Sequence, residues 1–173
     1  MTQLTYNEAF DPYHAAFRFF RLMFACDFST AVPFDMFRIL DFYLLYPFRL
    51  QNMTLLSEDI DWRKVSRAYE ATAPYGELPD DNSLFARMEP FQRAAATSLA
   101  HTGCLSLDAW ERNQIAFLKV DFPTPLVDRC VSLNDKMSDI VRILCDMKQR
   151  YPLLGRGGLK DRTGLMEFRY DSI

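Results

Sequence analysis

His14 and His101 are the only histidines of this chain, and imidazole is the side chain best suited to proton transfer near neutral pH. His14 stands beside Tyr13 in an aromatic stretch, and His101 lies just before Gly103. Neither has a serine or cysteine nucleophile in a setting such as G-x-S-x-G. Both read as structural, donating to a carbonyl or complementing a helix terminus. The acids never fall as H-E-x-x-H. In "FLKVD", Lys119 precedes Asp121 without the order of a metal-dependent nuclease. "GRGGLKDRTG" lacks G-x-x-x-x-G-K-[ST] and follows a helix and a proline rather than a strand. Its plain reading is a flexible connection. Its sharper reading is a basic loop in which Arg156, Lys160 and Arg162 meet phosphates or an acidic partner. Cys26, Cys104, Cys130 and Cys145 show no C-x-x-C spacing and read as reduced, mostly buried thiols. No catalytic centre, metal or cofactor is expected.

The bulk properties agree with a non-catalytic globular chain. At 173 residues, 49% hydrophobic and 25% charged, it can bury a real core as a single domain over 1–173. The net charge of −3 gives no general attraction to polyanions, so nucleic-acid contact would need a local basic patch. The stretch "FRILDFYLLYPFRL" raises a membrane question. Its longest uncharged run, Phe42 to Phe48, is far short of the roughly 20 residues of a spanning helix. No signal pattern opens the chain, and a cytoplasmic protein is expected.

Asp11-Pro12 predicts a capped N-terminal helix within 1–32, with Tyr13, Phe17, Phe20 and Phe24 as its apolar stripe and His14, Arg18 and Arg21 on another face. Pro33 opens a second helix whose main stripe is Phe37, Leu40 and Leu44. Phe42, Tyr43 and Leu45 make it apolar almost all round, leaving Asp35, Arg38 and Asp41 as a narrow polar seam. The core set should face the protein's own interior, while Phe42, Tyr43 and Leu45 are candidates for a partner or a further helical layer. "DIDWRKVSRAYEAT" predicts a third, shorter helix, and "APYGELPDDNS" a solvated connection. Ser83 is expected to cap a short turn over 84–88, and Pro90 to open a separate helix that stops at Gly103.

After Gly103 come a short strand candidate, a polar tip and a returning strand from Ile115 to Val120. Helices at 33–46, 60–72 and 90–102 followed by this hairpin predict a winged helix-turn-helix-like core over 33–122. The fold class is therefore mainly α with a small β component. Its nucleic-acid contacts would be Arg87, Arg93, Arg112 and Lys119, but the third helix is chiefly alanine where a groove reader carries Arg, Asn or Gln. An adaptor fits better. Over 123–173, Leu126, Cys130, Leu133, Met137, Ile140, Leu144, Met147 and Tyr151 alternate spacings of four and three, predicting one long helix of about 40 Å. Met137, Ile140 and Leu144 at mid-seam are further partner-interface candidates. Leu165, Phe168 and Tyr170 suggest a terminal strand.

Together "FDPYHAAFRFFRLM", "RILDFYLLYPFRL" and "MEPFQRAAATSLAHTG" resemble the middle-component proteins of bacterial ABC three-component conflict systems, Lamassu-type defence included, from Phe10 to about Phe168. The resemblance implies an accessory subunit with no catalysis of its own, encoded with an SMC-like ABC ATPase and an effector that is often a nuclease. It leaves room for DNA contact within the complex. The alternative is a stand-alone winged-helix DNA-binding regulator, and an enzyme is a distant third.

Overall fold

The Asp11 carboxylate accepts hydrogen bonds from the backbone N–H groups of Tyr13 (2.7 Å) and His14 (3.1 Å), and Pro12 takes the first helical position, so the chain enters α1 (Pro12–Ala25) where expected. The computed structural model describes residues 7–166. The buried face of α1 is not the aromatic stripe but Ala15, Arg18, Phe19, Arg21 and Leu22; Tyr13 is 84% exposed. Two arginines lie on the inner face because neighbouring helices supply acceptors for them. Phe20 and Phe24 form the flank, where Phe122 meets their rings at 5.2 and 5.6 Å.

The next helix, α2 (Phe34–Leu45), is the centre of the molecule, with ten of its twelve residues buried. Phe37, Leu40 and Leu44 face the interior as their spacing predicts. The polar seam is buried as well: Arg38 is 2% and Asp41 0% exposed. A 3₁₀ turn at Pro47–Asn52 follows, and α3 (Trp62–Ala68) packs on that turn.

One continuous helix, α4 (Asp81–His101), replaces the expected turn and separate helix, with Pro90 inside it. The cap is Asp80, which accepts from Ser83 N (3.0 Å) and Ser83 Oγ (2.6 Å). Proline removes the N–H that would serve the Ala86 carbonyl. One residue earlier, the Phe85 carbonyl accepts from Arg38 Nη2 at 3.3 Å, so a buried guanidinium meets the disturbed turn. Gly103, at φ 79°, then lets the N–H groups of Cys104 and Leu105 return to Leu99 O, closing the helix as predicted.

The β component is smaller than the expected hairpin. Strand β1 (Val32–Pro33) pairs antiparallel with β2 (Gln114–Ile115), Val32 opposite Ile115, and a single bridge joins Leu105 to Phe117. The expected strand does not reach Val120, and Leu118 and Val120 are exposed. The polar tip is itself helical: Ser106 caps α5 (Leu107–Glu111).

The long helix is broken. α6 (Thr124–Lys136) and α7 (Ser138–Arg150) meet at Met137, whose φ of −121° leaves the helical range. Each half has 13 residues, about 20 Å. α6 packs along α1, whereas α7 turns inward against α2, and a straight rod could not follow both. Cys26, the C-cap of α1, forms a disulfide with Cys145 on α7, their Cα atoms 5.5 Å apart. This corrects the expectation of four reduced thiols; Cys104 and Cys130 are free. The glycine-rich stretch is packed rather than loose, since Leu153 and Leu159 are buried around the short helix α8 (Leu159–Thr163). Of the suggested terminal strand, Leu165 is buried at a bend, and Phe168 and Tyr170 lie outside the described residues.

Candidate partner-binding cleft

Four of the proposed interface residues are consumed by the chain's own core. Phe42, Tyr43, Ile140 and Leu144 are between 0 and 1% exposed, because α4 and α7 cover the sides of α2 that looked surplus. Burial also pushes the Tyr43 phenol far above its ordinary pKa. Leu45 and Met137 remain partly exposed, and both line one cleft of about 590 Å³ between α1, α6 and the end of α2.

Two arginines one turn apart on α1 reach this cleft with opposite surroundings. Arg18 is ion-paired: Nε and Nη2 donate to the two oxygens of Asp41 at 2.6 and 3.0 Å, and Nη1 donates to the Glu8 carbonyl. Asp41 also accepts from Gln92 Nε2 at 2.8 Å, and Gln92 Oε1 accepts from Arg38 Nε at 2.9 Å. Arg38 continues to Asp35 and Glu89 and lies 4.2 Å from the centre of the Phe85 ring. A polar chain thus links α1, α2 and α4 through the core. Burial lowers the Arg38 pKa, with Glu89 and Asp35 opposing the fall.

Arg21 has no such direct ion pair among the described residues, and Asp41 favours its charge only from a distance. It is 8% exposed, yet its hydrogen-bond partners among the described residues are neutral: Nε donates to Asn134 Oδ1 at 3.0 Å and Nη2 to Met137 Sδ at 3.4 Å. Asn134 Nδ2 returns a bond to the Arg21 carbonyl at 2.9 Å, which clamps α6 onto α1 just before the break. Burial lowers the Arg21 pKa and raises that of the nearby Cys130 thiol, so Cys130 stays neutral and does not balance the charge. Phe17, Leu45, Leu133 and Met137 form apolar walls, and Arg129 sits over the Phe17 ring at 5.8 Å. At the rim, the Tyr69 hydroxyl donates to Asp139 at 2.5 Å, and burial together with that bond pushes its pKa upward.

The nucleic-acid candidates do not converge in the same way. Arg87 stacks on Phe10, Arg93 pairs with Glu89 at 3.0 Å, and Arg112 pairs with Asp108 at 2.6 Å. Lys160 is buried with Asp35 at 3.6 Å, and Arg162 donates to the carbonyls of Gly157 and Thr54. Those two basic residues hold the glycine-rich stretch in place rather than pointing out of it. Lys119 and Arg156 are exposed, on separate segments.

Asp59-Ile60-Asp61 has the D-x-D spacing of some metal sites, but Asp59 is occupied by Arg150 and by the Tyr151 hydroxyl at 2.6 Å. Among the described residues no group of three or more His, Cys, Asp or Glu could hold a metal ion. None of their helices is long and apolar enough to cross a membrane. The cleft itself was not foreseen in the sequence. Its one visible signal was the pair Arg18 and Arg21 on a helix otherwise rich in Phe.

The family model described as ABC-three component (ABC-3C) system Middle Component 5 matches residues 4–171. No curated protein and no solved structure matches the chain significantly.

Proposed function

We propose that this chain, which belongs to the Middle Component 5 family of ABC-three component systems, is a non-catalytic accessory subunit that links an SMC-like ABC ATPase to an effector in bacterial anti-phage or anti-plasmid defence. The family match over nearly the whole chain carries the reading, because a middle component of a multi-subunit system implies protein partners. The architecture supports it. The polar chain from Arg18 through Asp41 and Gln92 to Arg38, together with the Cys26–Cys145 bond, ties the helices into one stiff unit. A stiff unit can pass a displacement from one partner to another without absorbing it.

A winged-helix-like arrangement of residues 33–122 is part of the same proposal. What supports it is α4 ending at Gly103, followed by backbone bonds from Ser106 to Ala116 and from Leu118 to Cys104 that pair the two segments. In this reading the winged region serves protein contact, since Arg93 and Arg112 are engaged in ion pairs within the chain. The site of action is the cytoplasm, where ATPase and effector meet the invading genome.

Co-expression with the proteins encoded beside it, followed by affinity purification through this chain, tests the proposal. The ATPase and the effector are expected to co-purify in fixed ratio. A chain that elutes alone and instead binds a promoter duplex would favour the DNA-binding regulator.

A further inference from the structure

Arg21 is a buried cation facing a cleft, and no carboxylate among the described residues lies within ion-pair distance of it. Leaving a charge buried without a counter-charge is among the most destabilising arrangements a core can contain. Its neighbour Arg18, one turn away, shows how this fold satisfies a guanidinium when the chain supplies the acid: both oxygens of Asp41 meet it. For Arg21 the chain supplies an amide oxygen and a thioether, and Nη1 has no acceptor among the described residues. The walls around it are Phe17, Leu45, Leu133 and Met137, which gain nothing from a bare hydrated anion.

We infer that the cleft receives a carboxylate on an apolar stem, an acidic side chain presented by a partner protein, which pairs with Arg21 while its methylenes lie against Phe17, Leu133 and Met137. Arg129 favours the same sign of charge, while Glu8, which also lines the cleft, opposes it, so the recessed Arg21 and not the rim sets the preference. The inference rests on the adaptor reading only for the source of the carboxylate. It also explains why Leu45 and Met137, alone among the interface residues proposed from sequence, stay accessible: they border an apolar recess that holds a charge with no direct ion pair among the described residues.

Hexanoate is the probe, with hexanol and inorganic phosphate as controls, and the Arg21 Nε–H resonance of the ¹⁵N-labelled chain is the readout. Hexanoate should shift that resonance saturably, with both controls at least about tenfold weaker. Arg21→Met should abolish hexanoate binding. Met137→Glu is the second variant. It places a carboxylate where the sulfur now meets Nη2, so it should melt at a higher temperature than wild type and also lose hexanoate binding. No saturable shift with hexanoate, an equal response to phosphate or hexanol, or a Met137→Glu chain that still binds hexanoate overturns the assignment.

The second arm uses the complex co-expressed with the neighbouring ATPase and effector. Met137→Glu should lower retention of one of them by about tenfold. If that variant holds both as wild type does, the carboxylate does not come from them and the partner assignment falls. A wild-type chain that retains neither overturns the adaptor reading and this source together, while the titration still judges the cleft's chemistry independently.

Discussion

The Arg18–Asp41 pair should behave as a unit whose halves cannot be removed separately. Asp41 is fully buried and accepts two bonds from Arg18 and one from Gln92. Asp41→Leu leaves the Arg18 guanidinium buried with only the Glu8 carbonyl as acceptor, which should lower stability by about 3–5 kcal/mol. Arg18→Met leaves the Asp41 carboxylate buried with only Gln92 and should lose a similar amount, about 3–5 kcal/mol. The double variant removes both charges and replaces them with apolar volume. Such replacements are neutral to stabilising by about 1–4 kcal/mol, less about 1–3 kcal/mol for the Gln92 amide that loses its acceptor. The double variant should therefore lie within about 3 kcal/mol of wild type, more stable by several kcal/mol than the sum of the two single losses would leave it. Urea unfolding followed by far-ultraviolet circular dichroism on all four chains gives the coupling energy directly. For a domain of ordinary stability, about 5–15 kcal/mol, each single variant should shift the midpoint visibly. Single variants that each lose less than about 1 kcal/mol, or losses that simply add in the double variant, would refute the reasoning.

Reduction of Cys26–Cys145, or replacement of both by alanine, removes a crosslink that spans 119 residues, and should lower stability by about 2–5 kcal/mol, read as the denaturation midpoint with and without reductant. An unmoved midpoint would show that the crosslink does not hold α1 to α7. The Tyr151 phenol, pushed up to about 12 by burial and by its bond to Asp59, favours the neutral form in the folded chain. The unfolded phenol titrates near about 10, so this stability is complete below that pH and is lost as pH rises from about 10 to 12. Tyr151→Phe should remove that share of the alkaline slope and lower neutral-pH stability by about 1–2 kcal/mol, measured as melting temperature against pH. Gly158→Ala would bring a methyl within 2.9 Å of the Leu153 carbonyl oxygen, and should unseat α8 at a loss of about 2 kcal/mol or more. Gly155→Ala meets open space and should lose only the left-handed backbone term, about 1 kcal/mol, so equal melting temperatures for the two variants would count against the packed glycine-rich stretch.

Local chemistry was legible wherever it depends on neighbours in sequence. The Asp11-Pro12 start of α1, the Phe37, Leu40 and Leu44 stripe of α2 and the Gly103 stop of α4 each rest on a cap, a period or a backbone conformation confined to a few residues. The spacing of Leu126 to Tyr151 was equally plain, but periodicity continues unbroken through Met137 and so could not reveal that the helix bends there. Pro90 misled in the other direction. A proline can be accommodated inside a helix when other groups meet the disturbed turn, and Arg38, more than fifty positions away, is such a group.

Sequence alone determined that this is a mainly helical chain with capped amphipathic elements and a surplus of apolar surface on α2. Its quoted motifs also pointed to the middle components, which the family match bears out. Only the tertiary structure decided where the surplus went. Phe42, Tyr43, Ile140 and Leu144 are covered by the chain's own helices, Cys26 meets Cys145, and Asp41 faces Arg18 rather than solvent. It alone also left Arg21 without a carboxylate at ion-pair distance among the described residues. Hydrophobic periodicity reports which face of an element avoids water, because that is a property of one segment. Whether a neighbouring helix, a counter-charge or a partner completes the burial depends on contacts between distant segments, and these exist only once the chain has closed on itself.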